Sequence, residues 1–407
     1  MTMLCETPGL SRRALIAAGG ALFAWANIPA FARANDSRDP RLVVMILRGA
    51  LDGLSAVAPT GDPDYAGLHG ALALERGGEH PALPLDAFFA LNPSMPNFAR
   101  LYGARQALVA HAVATGYRER SHFDGQDVLE SGQPGPGLTD SGWLNRALGA
   151  LPGGQRVAVH GGLAVGAVTP LVLRGAAPVL GWAPAGLPAA NDDLARRALD
   201  LYARQDHVLE VALREGLDAE RLASGAMMDA KKGGDVAAVM RKAAAGAARL
   251  MAADDGPRIA ALAFDGWDTH ANEGGATGRL AQLLGGLDDS FAAFETEFGP
   301  RWRDTAVIAI TEFGRTVHIN GTVGTDHGTG TVAFLAGGAV AGGRVVADWP
   351  GLRPADLYEA RDLKPTTDLR AILKGLLADQ FGLSPQVLAR VVFPDSALIA
   401  PMKGLIV

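Results

Sequence analysis

The stretch LVVMILRGALDG, Leu42 to Gly53, decides how the rest of the chain is read. Leu42 to Leu47 are all apolar with no polar alternation, so both faces of the strand they form are covered, as in the middle of a parallel sheet. The run ends in Arg48-Gly-Ala-Leu-Asp52-Gly53, a charged turn at the strand's carboxyl end. On either side of it in the chain's plan, Ala107–Val113, Arg258–Phe264, Thr305–Thr311 and Thr331–Leu335 repeat the apolar pattern, and Arg156–His160 and Leu171–Leu173 are shorter strand candidates. Helical segments lie between them. Ser121-His-Phe-Asp124 is a capping box opening a helix through Leu129. Asn191–Ala253 is rich in Ala, Leu and Arg and breaks near Lys231–Gly234. A long helix runs from Thr277 to Phe298, and Thr366–Phe381 is a capped amphipathic helix. Strands alternating with helices predict an α/β fold, a three-layer α/β/α arrangement around a mostly parallel sheet. With no internal repeat and no long linker, residues 35–407 read as one domain with a helical insertion at 191–253.

Composition narrows the chemistry. The 407 residues are 48% apolar, which supports a real core and excludes global disorder. A formal net charge of −6 excludes a nucleic-acid binder that works by phosphate neutralisation. The one cysteine, Cys5, excludes intrachain disulfides and cysteine-clustered metal sites. Cys5 also falls in a stretch with its own logic. Ser11-Arg12-Arg13 precedes an uncharged run, Ala14–Ala32, that closes in Ala32-Arg33-Ala34. A basic start, an apolar middle and an A-x-A site read as a secretory peptide, and the paired arginines point to the twin-arginine translocase. Asn27, Pro29 and two glycines argue against an uncleaved membrane anchor. Residues 1–34 are thus expected to be removed, with three arginines and Glu6, shifting the net charge from −6 to −8. The mature chain is expected in the periplasm or outside the cell, with no membrane span and no thiol.

Polar residues collect after the strands, in Arg48–Asp52, Tyr117–Asp127, Asp265–His270 and Glu312–His327. Open α/β sheets bind ligands in the crevice outside strand carboxyl ends, so these remote loops should meet. His122, His270 and His327 all fall within them. Imidazoles with carboxylates suit a divalent Zn, Mn or Fe ion better than Mg or Ca. Each piece has a plainer reading. Asp52-Gly53 is also a turn signal, Asp268-x-His270 and Asp326-His327-Gly328 also suit Asx-turns, and Ser121 is also a helix cap. Arg118, Arg120 and Arg315 also read as solvated charges, and His69, His80, His160 and His207 as structural. Four loops bearing acids or imidazoles at one sheet edge favour a site.

With the twin-arginine start, LRGALDGL (Leu47–Leu54), RSHFDGQD (Arg120–Asp127), GWDTH (Gly266–His270), TEFGRT (Thr311–Thr316) and GTDHG (Gly324–Gly328), nearly the whole chain resembles one exported bacterial family. That family is domain of unknown function 1501, a branch of the alkaline phosphatase and sulfatase superfamily. The resemblance implies an alkaline-phosphatase-like fold in which an acid after the first strand, here Asp52, binds one metal. It implies a nucleophile capping a helix that ends in L-x-x-G, matched by Ser121 ahead of Leu129-Glu-Ser-Gly132, and an Asp–His pair on a second metal, matched by Asp268 and His270. The superfamily's Asp-His-Gly has two registers here. By letters it is Asp326-His327-Gly328. By topology it is Glu312-Phe313-Gly314 after a strand, with His327 as the final histidine before the next one. The second register keeps one full metal position (Asp268, His270, His327) and leaves another degraded, with Asp52 and Glu312 retained and Phe313 in place of an imidazole. The implied activity is metal-dependent hydrolysis of a phosphate, sulfate or related anionic ester. Ser121 would attack, Arg48, Arg120 or Arg315 would hold non-bridging oxygens, and His122 would be a further ligand or the general acid. The absence of a CxPSR-type signature excludes formylglycine chemistry. The competing expectation is a noncatalytic metal- or anion-binding protein acting in a secreted complex.

Overall fold

The computed structural model describes residues 38–151, 161–183, 236–254 and 256–407. The expected signal segment 1–34, the strand candidate 156–160 and the helical region 191–235 with its break at Lys231–Gly234 lie outside them, as do His160 and His207. The sheet and its helices belong to the unit Asp39–Val407.

The apolar run forms β1 (Arg41–Leu47), every residue of which is buried. β2 spans Ala107–Ala114, β3 Gly162–Val165 and β4 Val179–Trp182. β5 spans Ile259–Phe264, β6 Thr305–Ile310, β7 Thr331–Ala336, β8 Arg344–Val346 and β9 Thr367–Asp368. They build one sheet in the order β8-β2-β7-β6-β1-β5-β3-β4, with β9 also on β2. β1 lies between β5 and β6, parallel to both. β3 is parallel to β4 and β5, and β8 and β9 are parallel to β2. β7 alone departs from the parallel expectation, running antiparallel to β2 and β6. The reason is local. The chain between β6 and β7 stays at the sheet edge where β6 ends, so β7 must return in the opposite direction.

The layers follow from alternation along β1. Val43, Met45 and Leu47 face one core with Phe98 and Leu101 of α1 (Pro96–Gly103), Met240 of α4 (Val236–Ala252) and Leu284 and Phe291 of α5 (Arg279–Phe298). Leu42, Val44 and Ile46 face a second core with Leu129 of α2 (His122–Ser131), Trp143 and Leu144 of α3 (Trp143–Ala150) and Ile372 and Leu376 of α6 (Leu369–Phe381). Helices thus cover a mostly parallel mixed sheet on both faces. Among the described residues, no helix is long and apolar enough to cross a membrane.

Three expected elements change. Leu171–Leu173 is a single 3₁₀ turn rather than a strand, since Val172 N donates to the Glu130 carboxylate (3.1 Å) instead of a ladder. The helix expected from Thr277 starts at Arg279, because Gly278 at φ 102° cannot be helical. The last helix starts at Leu369, because Thr367 and Asp368 pair with β2 before the Asp368 side chain caps Arg370 N.

Candidate metal centre

Parallel pairing puts the carboxyl ends of β1, β5 and β6 at one edge, with Leu47 opposite Phe264 and Ile46 opposite Ile310. The reversed β7 begins there too, Thr331 lying opposite Val113 near the end of β2. Four loops therefore meet, and they are stitched together. Arg48 N donates to Phe264 O (2.9 Å), Trp267 N to Arg48 O (3.2 Å) and Leu51 N to Thr311 Oγ1 (3.2 Å). Two loops also pass close together at Gly49, whose φ is 122° and where a Cβ would stand 2.4 Å from Asp268 N. Only glycine fits both the angle and the gap.

In the space so enclosed three imidazoles converge. His122 Nε2 and His270 Nε2 each lie 2.9 Å from His327 Nε2. The Asp268 carboxylate closes the group, 3.6 Å from His122 Nε2, 3.2 Å from His270 Nε2 and 3.6 Å from His327 Nε2. The ligand atoms of His122, Asp268 and His327 all lie within 4.8 Å of one another, and this set could hold a metal ion.

The opposite nitrogens explain the orientation. His122 donates from Nδ1 to Glu312 Oε1 (2.9 Å), His327 from Nδ1 to Arg120 O (2.9 Å), and His270 from Nδ1 to Asp326 Oδ1 (3.2 Å). With each Nδ1 donating, each Nε2 is turned toward the others and, in the neutral imidazole, offers a lone pair to an ion. Three neutral imidazoles so placed would repel at 2.9 Å unless a cation lay between them. Two nitrogens bound at about 2.0–2.1 Å on a tetrahedral ion stand roughly 3.3 Å apart, so the side chains present fit a metal with small adjustments.

Charge supports the same picture. Burial and the neighbouring His122 lower the pKa of His327, keeping it in the neutral form that ligates. Burial pushes Asp268 up, but the Arg315 guanidinium, bonded to its Oδ1, and the adjacent histidines outweigh that and leave it below the ordinary carboxylate range. Glu312 is also held low, because bonds from His122, Gln126 and Gly49 N overcome its burial. Phe313 packs against two of the imidazoles, its ring 5.0 Å from that of His122 and 5.5 Å from that of His327.

The structure thus gathers His122, Asp268, His270 and His327 inside, with Glu312 and Asp326 serving histidines from outside. Glu312 Oε1 already accepts from His122, Gln126 and Gly49, and Oε2 from Thr311. Those bonds leave it little capacity for an ion. Asp52 is not brought to the group. It caps the short turn Gly53–Ala56 through Leu54 N (2.9 Å), and its Oδ2 lies 3.2 Å from His69 Nε2, which also bonds Ser55 Oγ (2.7 Å). The partners of Asp52 and of Glu312 do not overlap. Ser121 occupies the N-cap of α2 with its side chain making no capping bond. Arg120 adopts φ 59° and turns its carbonyl to His327, while its guanidinium pairs with Asp362 and Glu359. Arg315 is 1% exposed and paired with Asp268, and Arg48 pairs with Glu130. All three arginines expected to grip an anion are therefore held by carboxylates. Sequence reasoning did not reach Gln126, Asn320 (3.1 Å from Asp326) or Asp362 and Arg361, since no spacing marks a residue that supports a ligand from a distant loop.

Comparison with solved structures finds weak likenesses. Ps i-CgsB, solved in complex with k-i-k-neocarrahexaose, is 9% identical, over 89% of this chain and 76% of that one, with a TM-score of 0.41. PsFucS1 sulfatase from Pseudoalteromonas sp. is 13% identical, over 90% of this chain and 73% of that one, with a TM-score of 0.36. A search of curated proteins returned no match. A family model described as "Protein of unknown function (DUF1501)" matches residues 39–392, across the sheet and all four loops of the site, and the chain belongs to that family.

Proposed function

We propose that the chain is an exported, metal-dependent hydrolase of phosphate, sulfate or related anionic esters. The observation that carries this reading is the convergence of three imidazole Nε2 atoms and one carboxylate, with every Nδ1 already committed elsewhere. His122, Asp268, His270 and His327 would hold the ion, of which Zn, Mn and Fe suit the imidazoles best. When bound, such an ion supplies Lewis-acid polarisation of an ester oxygen and a counter-charge for the oxygen that leaves. The rest is the work of this chain's residues. Glu312, Asp326 and the Arg120 carbonyl fix the imidazole orientations. Ser121, next to His122 and free of any capping bond, is the nucleophile, sited where the α2 N-terminus favours a developing anion. Export by the twin-arginine translocase rests on Arg12-Arg13 and the apolar run behind them.

A second reading is favoured by one observation. Arg48, Arg120 and Arg315 are all paired with carboxylates, so none of the three is free to grip a non-bridging oxygen. That suits a noncatalytic metal-binding protein in a secreted complex. Metal analysis of protein recovered from the periplasm, with an aryl-phosphate and aryl-sulfate screen, separates the readings. The hydrolase predicts bound metal, turnover, and a Ser121→Ala variant that keeps the metal and loses on the order of 10³-fold or more in kcat. Bound metal with no turnover supports the binder, and no metal defeats both.

A further inference from the structure

Asp362 is fully buried, lies far along the chain from every candidate ligand, and belongs to no motif. It closes the turn Tyr358–Asp362, in which Tyr358 N donates to Asp362 O (2.9 Å) and Asp362 N to Tyr358 O (3.0 Å). Glu359 and Ala360 both sit at φ 52°, a conformation that non-glycine residues keep only when their surroundings enforce it. The turn docks beside the metal centre through Val317 N to Arg361 O (3.3 Å).

The Asp362 carboxylate pairs with two arginines, hydrogen-bonding Arg120 and lying in ion-pair range of Arg361 with no hydrogen bond to it. Its Oδ2 accepts from Arg120 Nε (3.0 Å) and lies 2.8 Å from a terminal nitrogen of the same guanidinium. Its Oδ1 is 3.2 Å from Arg361 Nε. Each arginine then grips His327 by a different part. The Arg120 carbonyl accepts from His327 Nδ1 (2.9 Å), and the Arg361 guanidinium donates to the His327 carbonyl oxygen. Ring and main chain of one histidine are thus oriented through a single buried carboxylate.

We propose that Asp362 is a positioning residue of the metal centre, setting its affinity for a divalent ion through Arg120, Arg361 and His327. This rests on the reading of the histidine group as a metal site. The test is chelator competition for Zn(II) and the visible spectrum of the Co(II)-loaded protein, on the parent, Asp362→Asn, Arg361→Ala and, as control, Glu297→Gln, which alters an exposed pair with Arg249. Asparagine keeps the volume and removes the charge that pairs with both guanidiniums. The expected result is a 10–100-fold loss of Zn(II) affinity in Asp362→Asn, with a shifted Co(II) spectrum, a smaller loss in Arg361→Ala, and no change in Glu297→Gln. Circular dichroism establishes that each variant is folded. Should Asp362→Asn fail to fold, Arg361→Ala decides, because that side chain is 42% exposed and its truncation leaves no buried void. Folded variants with parental affinity and an unshifted spectrum overturn the role of Asp362 alone. A parent that binds neither ion overturns the metal reading as well.

Discussion

A histidine commits one nitrogen to the protein before it can offer the other to an ion, and His122, His270 and His327 have each made that commitment. The letters of the four loops carry the presence of these residues but not their tautomers. Nor do they separate a carboxylate that faces an ion from one that faces a histidine, since both stand in the same loop. That is why Glu312 reads like a ligand in sequence and acts on His122 in the fold. Asp52 shows the same limit, as its turn places it with His69 and Ser55. Beside it lies Glu273, fully buried, with Oε2 accepting from Thr325 Oγ1 (2.6 Å). Burial, and then the adjacent Asp52 charge, push the Glu273 carboxyl up to about 9. The unfolded value is about 4.3, so the folded chain keeps a proton that the unfolded chain gives up. Its contribution is complete below about pH 4.3 and is lost as pH rises toward 9. Glu273→Gln is permanently neutral, so its melting temperature relative to the parent should rise steadily from about pH 5 to 9. A difference that stays flat with pH would mean Glu273 is ionised in the fold.

At the scale of elements, largely apolar runs were enough to locate β1, β2, β5, β6 and β7. The direction of β7 was not legible, because it depends on where the preceding loop travels rather than on the strand's own residues. The same holds for Leu171–Leu173, whose apolar character fits a strand but whose backbone bonds go to Glu130. Helix α2 illustrates how an element transmits to the site. It packs so closely on the β6 end that a Cβ at Gly125 would stand 2.9 Å from the buried Phe313 ring and 3.3 Å from Glu312 Cβ. Gly125→Ala should therefore cost about 1–3 kcal/mol in urea unfolding by overpacking. It should also weaken Zn(II) binding, since α2 carries His122 away from Glu312. Gly149→Ala in α3, where nothing lies within 4 Å, should leave Zn(II) binding unchanged and raise stability by about 0.5–1 kcal/mol. Equal effects at the two sites would show that α2 has room to yield.

For the whole molecule, a ligand that binds only the folded state adds stability as the logarithm of its free concentration, about 2.7 kcal/mol at one hundred times Kd. Stripping the chain with a chelator should lower its melting temperature, and Zn(II) should restore it in proportion to log free ion. A His327→Ala variant should respond to neither. The layered α/β plan was legible because burial on both faces leaves a mark in every central strand. The supporting shell around the site was not, because it is assembled from Arg120, Asn320, Arg361 and Asp362, which only the folded chain brings together. The four residues that would hold the ion come from α2, from the loop after β5 and from the loop before β7. An ion there is a cross-link between distant parts of the chain, removing loop entropy from the unfolded state as a cystine does elsewhere. Cys5 is the chain's one cysteine, so a bound ion would stand in for a cystine framework. A molecule clasped in that way would be indifferent to thiol reductants and vulnerable to chelators, the reverse of a protein stapled by disulfides.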